Sequence, residues 1–128
     1  MPQPNAIPPS SWISKFRCAF RGAKLGVRGE SSFFVHFFAA AAVAAAALAL
    51  GATLVEWCIL LGCIAAVLTA EMFNSALERL AKAVDERPNP HIRDALDIGS
   101  GAVLVASIGA AVIGAVIFLN RLPQVMNW

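Results

Sequence analysis

Glu71, Asn74, Ser75, Glu78, Lys82 and Asp85 follow one another at steps of one, three and four residues. On a helix turning 100° per residue, all six point within about 60° of one direction, so they form a single polar face. Two more carboxylates fall at the same depth: Glu30 ahead of the first long apolar stretch and Asp97 at the start of the last. Hard divalent cations such as Mg²⁺ are held by one or two carboxylates together with substrate phosphates. Glu30 and Glu78 are the candidate metal ligands on that chemistry, and Glu71, with the least access to water, is the candidate general base. A plainer reading makes Glu71 and Glu78 interfacial charges, with Glu78 paired to Lys82 at i+4. Against it, Asn74 and Ser75 occupy the same face, where a lipid-exposed helix would carry Leu or Val.

The elements that must position these groups belong to a membrane. In 128 residues, hydrophobic content is 59% and charged content only 14%, which excludes an ordinary water-soluble domain. Ser31 to Val55, Trp57 to Ala70 and Ile98 to Asn120 contain no Asp, Glu, Lys or Arg. The first and third exceed the roughly 20 residues that cross ~30 Å of hydrocarbon. The second, about 14 residues or ~21 Å of helix, can cross only by running through Glu56 or Glu71. A secretory signal is not expected, since no apolar core follows the first basic residues. Cys18, Cys58 and Cys63 have neither metal-ligand spacing nor an even count, and read as small apolar fillers.

The expected architecture is all-α and integral to the membrane, with three transmembrane helices preceded by an amphipathic interfacial helix. Residues 1–10, rich in proline, form a flexible lead. The domain proper covers 11–122, with the interfacial helix at 11–29, spans at about 31–50, 54–86 and 94–120, and a tail at 123–128. Ser10 or Ser11 supplies the first N-cap. Trp12, Phe16, Phe20, Ala23 and Val27 then repeat at three or four residues with Lys and Arg between them, as in a helix lying among headgroups. Gly26 and Gly29 turn the chain into the bilayer. Pro88 and Pro90 end the second span, and the third opens near Asp94. Ala102, Ala106, Ala110 and Gly114 make a small-residue ridge for close helix approach, including approach by other copies of the chain. Nine of the ten basic residues precede the first span or lie between the second and third, leaving only Arg121 for the opposite side. The positive-inside rule then puts the N-terminus in the cytoplasm and the C-terminus outside.

The run Ala70-Glu71-Met72-Phe73-Asn74-Ser75-Ala76-Leu77-Glu78, followed by Asp97-Ile98-Gly99-Ser100-Gly101-Ala102-Val103, resembles the small prokaryotic diacylglycerol kinase family, which includes undecaprenol kinases. Its E-x-x-N-[ST]-A-x-E core is specific, and the likeness extends upstream to Phe16, Ala19, Gly22 and Glu30. The resemblance implies a homotrimer in the bacterial inner membrane that moves the γ-phosphoryl group of ATP, with Mg²⁺, onto a lipid hydroxyl. It implies Glu71 as the catalytic base, in contact with the lipid substrate together with Ser100. It also implies Glu30 and Glu78 as metal ligands, and Glu30, Asn74, Glu78, Asn89 and Asp97 as ATP-binding residues. No nucleic-acid partner is expected.

Three positions depart from the family pattern. Leu96 stands where the family has lysine before Asp97, Lys82 where Asp is frequent, and Phe34 where Arg is common. Arg93 or Lys82 is expected to supply the missing positive charge. His36, inside the first apolar span, is similar to the undecaprenol branch, although a lone membrane histidine also serves as a helix-to-helix hydrogen-bond donor. Diacylglycerol is the leading acceptor, with undecaprenol as the alternative. A non-catalytic nucleotide-binding relative is the competing class, supported by Leu96. A channel subunit is disfavoured because the polar face ends near Glu71.

Overall fold

Three helices begin where a short polar side chain can accept the otherwise unpaired N–H groups of the first turn. Ser11 Oγ accepts the Ser14 N–H at 3.1 Å. Thr53 and Glu56 form a reciprocal capping box: the Thr53 N–H donates to Glu56 Oε1 at 2.9 Å, and the Glu56 N–H donates to Thr53 Oγ1 at 3.2 Å. Asn89 Oδ1 accepts from His91 N at 2.9 Å and Ile92 N at 3.4 Å. The computed structural model describes residues 11–28, 31–84 and 87–126. The four helices are α1, Trp12–Arg28; α2, Ser31–Leu50; α3, Leu54–Val84; and α4, Pro90–Val125. No strand occurs among the described residues.

Three of these helices, α2, α3 and α4, are long and apolar enough to cross a membrane. The chain is therefore a multi-pass membrane protein. The short middle stretch crosses because its helix passes through both Glu56 and Glu71 and continues to Val84. Glu71 lies 17 residues beyond the start of α3, roughly 26 Å along it at 1.5 Å per residue, close to the far edge of a ~30 Å hydrocarbon layer. The remainder of α3 carries the polar face out of that layer.

Several expected boundaries move. The last helix opens at Pro90 rather than near Asp94, because a proline at the first helical position gives up an N–H that would have had no partner there. Pro90 is thus a start rather than a stop. The same helix runs past Asn120 and through Pro123 to Val125, with the Met126 N–H closing on the Leu122 carbonyl at 3.0 Å, so the tail does not begin at 123. Gly26 lies inside α1 rather than at a turn; a Cβ there would meet the Met72 side chain of α3 at 3.4 Å, an ordinary contact distance. Gly29, the other expected turn residue, lies outside the described residues, as do the lead at 1–10, Glu30 and Asp85. Cys18 and Cys58 are exposed rather than filling a core, and only Cys63 is half-buried.

Packing is dominated by α3 against α4, with α2 lying on both and α1 touching α3. Among the described residues, Phe33, Ala47, Leu60 and Val67 are the buried hydrophobic side chains. Leu104, Val105, Ile108, Val112, Val116 and Leu119 leave the outer surface of α4 apolar, which suits a lipid solvent. At the end of the bundle away from the polar face, Arg121 donates to the Gly51 carbonyl and to Gln124 Oε1, and its Nε lies 3.4 Å from Glu56 Oε1.

Gly51 closes α2 with a left-handed residue, φ +67°. The Ala52 N–H returns to the Ala47 carbonyl and the Gly51 N–H to that of Leu48, the two bonds of a Schellman cap. A side chain would have room, since the nearest atom is 3.8 Å from a built Cβ, so the penalty for alanine is conformational alone. Gly51→Ala is expected to cost about 1 kcal/mol of stability, with Gly51→Asn costing less, as read by denaturant titration in detergent.

Candidate functional site

Glu71 is 5% exposed although its side chain is a carboxylate. Burial of such a group in an apolar bundle demands a partner, and α2 supplies one. His36 Nε2 lies 2.8 Å from Glu71 Oε1, joining residues 35 positions apart in sequence. An ionised carboxylate can only accept, so with Glu71 ionised the donor of this bond is the imidazole Nε2–H. His36 is in turn part of the wall of an apolar groove of about 490 Å³ between α2, α3 and α4, together with Val43, Leu60, Val67 and Ala110.

One turn further along α3, Asn74 Nδ2 donates to Glu78 Oε1 at 3.3 Å, an i to i+4 pair on the polar face. The amide is thereby oriented with its oxygen toward α4. That oxygen and the buried hydroxyl of Ser75 have no hydrogen-bond partner among the described residues. An unpaired buried acceptor or hydroxyl costs about 1–3 kcal/mol, and such groups concentrate where a ligand or water completes the set. Ser75 faces a groove of about 510 Å³ between α1 and α3, alongside Gly22, Gly26, Met72 and Arg79. Arg79 holds the groove's far end by donating to the Leu25 carbonyl at 3.4 Å.

Gly99 brings α4 close to this face. A Cβ built on it would lie 2.6 Å from Asn74 Oδ1 and 3.0 Å from Leu77 Cδ1. Only glycine allows the approach without moving the amide. Gly99→Ala is expected to turn the Asn74 amide and the end of Leu77 aside, lowering stability by about 1 kcal/mol. Unfolding in detergent beside the parent protein checks the effect.

The expected site residues are thus unequally gathered. Glu71, Asn74 and Glu78 share the face, with Glu71 and Ser75 buried and Asn74 and Glu78 half-buried. Asp97 and Ser100 are exposed on α4. Gly99 points at α3, so Asp97, two residues earlier, is turned about 200° from it, and Ser100 about 100°. Within one chain neither is directed at Glu71. Asn89 spends its side-chain oxygen on capping α4, a role its place before Pro90 signals. Lys82 and Arg93 are exposed, and Glu30 lies outside the described residues. A helix-to-helix hydrogen bond was legible for His36 as a polar residue in an apolar span; that its partner is Glu71 depends on how α2 and α3 pack.

Among the described residues no three His, Cys, Asp or Glu side chains cluster as a protein-only metal cage. The Glu78 carboxylate is a hard oxygen donor of the kind that holds Mg²⁺ together with phosphates, whereas the Asn74 amide turns its N–H, not its oxygen, toward it.

Residues 17–118 match the prokaryotic diacylglycerol kinase family. Over 111 residues the chain is 30% identical to an undecaprenol kinase of Bacillus subtilis, covering 87% of this chain and 90% of the relative. Over 123 residues it is 32% identical to a diacylglycerol kinase of Synechocystis, covering 94% of this chain and 69% of the relative. No solved structure matches.

Proposed function

Because this chain belongs to the prokaryotic diacylglycerol kinase family, we propose that it transfers the γ-phosphoryl group of ATP to a lipid hydroxyl at the membrane surface, with diacylglycerol as the acceptor and phosphatidic acid as the product. The observation that carries the reading is Glu71, buried at the end of the apolar part of α3 and held by His36, with Asn74 and Glu78 on the next two turns.

Glu71 takes the proton of the lipid hydroxyl as the oxygen attacks the γ-phosphorus. The bond from that phosphorus to the bridging oxygen breaks, and ADP leaves. Glu71 suits the acceptor because α3 brings it to the depth where a lipid headgroup begins. Asn74 and Glu78, further toward the aqueous side, meet the nucleotide phosphates, and Glu78 with Glu30 would hold Mg²⁺. When bound, that ion neutralises charge developing on the phosphate oxygens. Positioning and neutralisation are most of what phosphoryl transfer asks of a protein.

The remaining features of the proposal follow from this arrangement. The cytoplasmic side holds the N-terminus and the polar face, and the C-terminus is outside, in the bacterial inner membrane. The chain's α1 lies among the headgroups, supported by the exposure of Trp12, Phe16 and Phe20 beside its basic residues. The assembly is a homotrimer, which would let Asp97 and Ser100, turned away from their own α3, face a neighbouring subunit's site.

Undecaprenol is the second reading for the acceptor. It is favoured by the match to the Bacillus undecaprenol kinase across nearly the whole of both chains. The purified protein, offered both lipids at equal mole fraction in mixed micelles, is expected to phosphorylate diacylglycerol with at least tenfold the kcat/KM. The reverse preference would assign undecaprenol.

The family lysine replaced by Leu96 leaves a charge to be supplied, and without it the chain would be a nucleotide-binding relative lacking turnover. Arg93, one turn before Asp97, or Lys82 on the polar face fills that role. Arg93→Ala or Lys82→Ala is expected to raise KM for Mg·ATP by about tenfold. Unchanged kinetics in both variants would remove these two residues from the account.

A further inference from the structure

We propose that His36 is a positioning residue for the reaction: its Nε2–H holds Glu71 Oε1 and so sets the plane in which the base meets the acceptor hydroxyl. The inference rests on Glu71 being the base. It begins from geometry rather than from the resemblance, since the two residues come from different helices and meet at 2.8 Å.

Glu71 reaches its place through three side-chain torsions, the last of which is broad and roughly two-fold. In water that freedom would matter little, but a base must present one lone pair to one hydroxyl. A packed apolar wall restrains such a side chain by shape without choosing between its rotations. A directional donor does choose. His36 is well placed to be that donor, because α2 is locked at the same level by Phe33, only 2% exposed and within one turn of His36. The imidazole is itself mostly shielded, with 19% of the side chain exposed against 6% for Glu71, so the bond is protected from competing water. A histidine also gives a donor of fixed reach on a ring with only two torsions, whereas Lys or Arg at this depth would bring a full charge into the membrane.

His36 touches neither ATP nor the transferred phosphoryl group in this proposal, so its removal must act on kcat and leave nucleotide affinity alone. His36→Leu is expected to lower kcat about 30-fold while KM for Mg·ATP changes by less than twofold. His36→Gln, whose amide N–H has comparable reach, is expected to restore kcat to at least a third of the parent value. Retained Mg·ATP binding and the parent elution profile in detergent establish that each variant is folded. Glu71→Gln, run in parallel, separates this proposal from the reading beneath it: full turnover in that variant would mean that Glu71 is not the base. With Glu71→Gln inactive, an unchanged kcat in His36→Leu would overturn the positioning role. A folded His36→Gln as slow as His36→Leu would also overturn it, by showing that the reaction needs the imidazole itself rather than its donated hydrogen bond.

Discussion

Glu71→Gln is expected to lower kcat by about a thousandfold while leaving Mg·ATP affinity within twofold of the parent. Positioned general bases contribute about 10²–10⁴ in rate, and Glu71 is the buried carboxylate of the polar face. Glutamine keeps the shape and offers His36 Nε2–H an amide oxygen to donate to, so the α2–α3 contact survives and the loss reports the missing proton acceptor. Equilibrium dialysis of Mg·ATP beside single-turnover kinetics checks both halves. Loss of nucleotide binding together with turnover would instead make Glu71 part of the nucleotide site.

Glu78→Gln is expected to behave differently, raising KM for Mg·ATP and cutting kcat/KM about a hundredfold, or ~2.7 kcal/mol at 1.36 kcal/mol per tenfold. Its hydrogen bond from Asn74 Nδ2 can be kept by the glutamine oxygen, while the negative charge is lost. A hard cation bound through one or two carboxylates depends on that charge. Kinetics at several Mg²⁺ concentrations distinguish the outcomes: partial rescue at high Mg²⁺ supports a metal-linked role. A KM for Mg·ATP that does not move would place the cation elsewhere.

These expectations show which parts of the site could be read from the chain and which could not. The polar face followed from helical spacing, because Glu71, Asn74, Ser75 and Glu78 lie on one uninterrupted helix and 100° per residue fixes their relative directions. The three membrane helices followed from apolar length, and the middle one from the need to run through a carboxylate. Pro90 misled because one residue type both ends helices and starts them; its sense depends on the asparagine before it, whose side chain caps the new helix. His36 and Glu71 belong to different helices, and local spacing carries no information about the rotation of α2 against α3. Gly99 was visible as a glycine in a motif, while its reason, an amide oxygen that would lie 2.6 Å from any Cβ, needs the packed helices. Asp97 sat at the right depth in the sequence but on the far side of α4 from Gly99, a direction that matters only once α4 is seen against α3.

The most direct test of the central claim is transfer of radiolabelled γ-phosphate from Mg·ATP by the purified protein in mixed micelles containing diacylglycerol and undecaprenol, followed by extraction of the lipids. Label is expected in a lipid phosphate, and is expected to be absent when Glu71→Gln replaces the parent protein. Label confined to ATP and inorganic phosphate, from a preparation that still binds Mg·ATP, would contradict that claim.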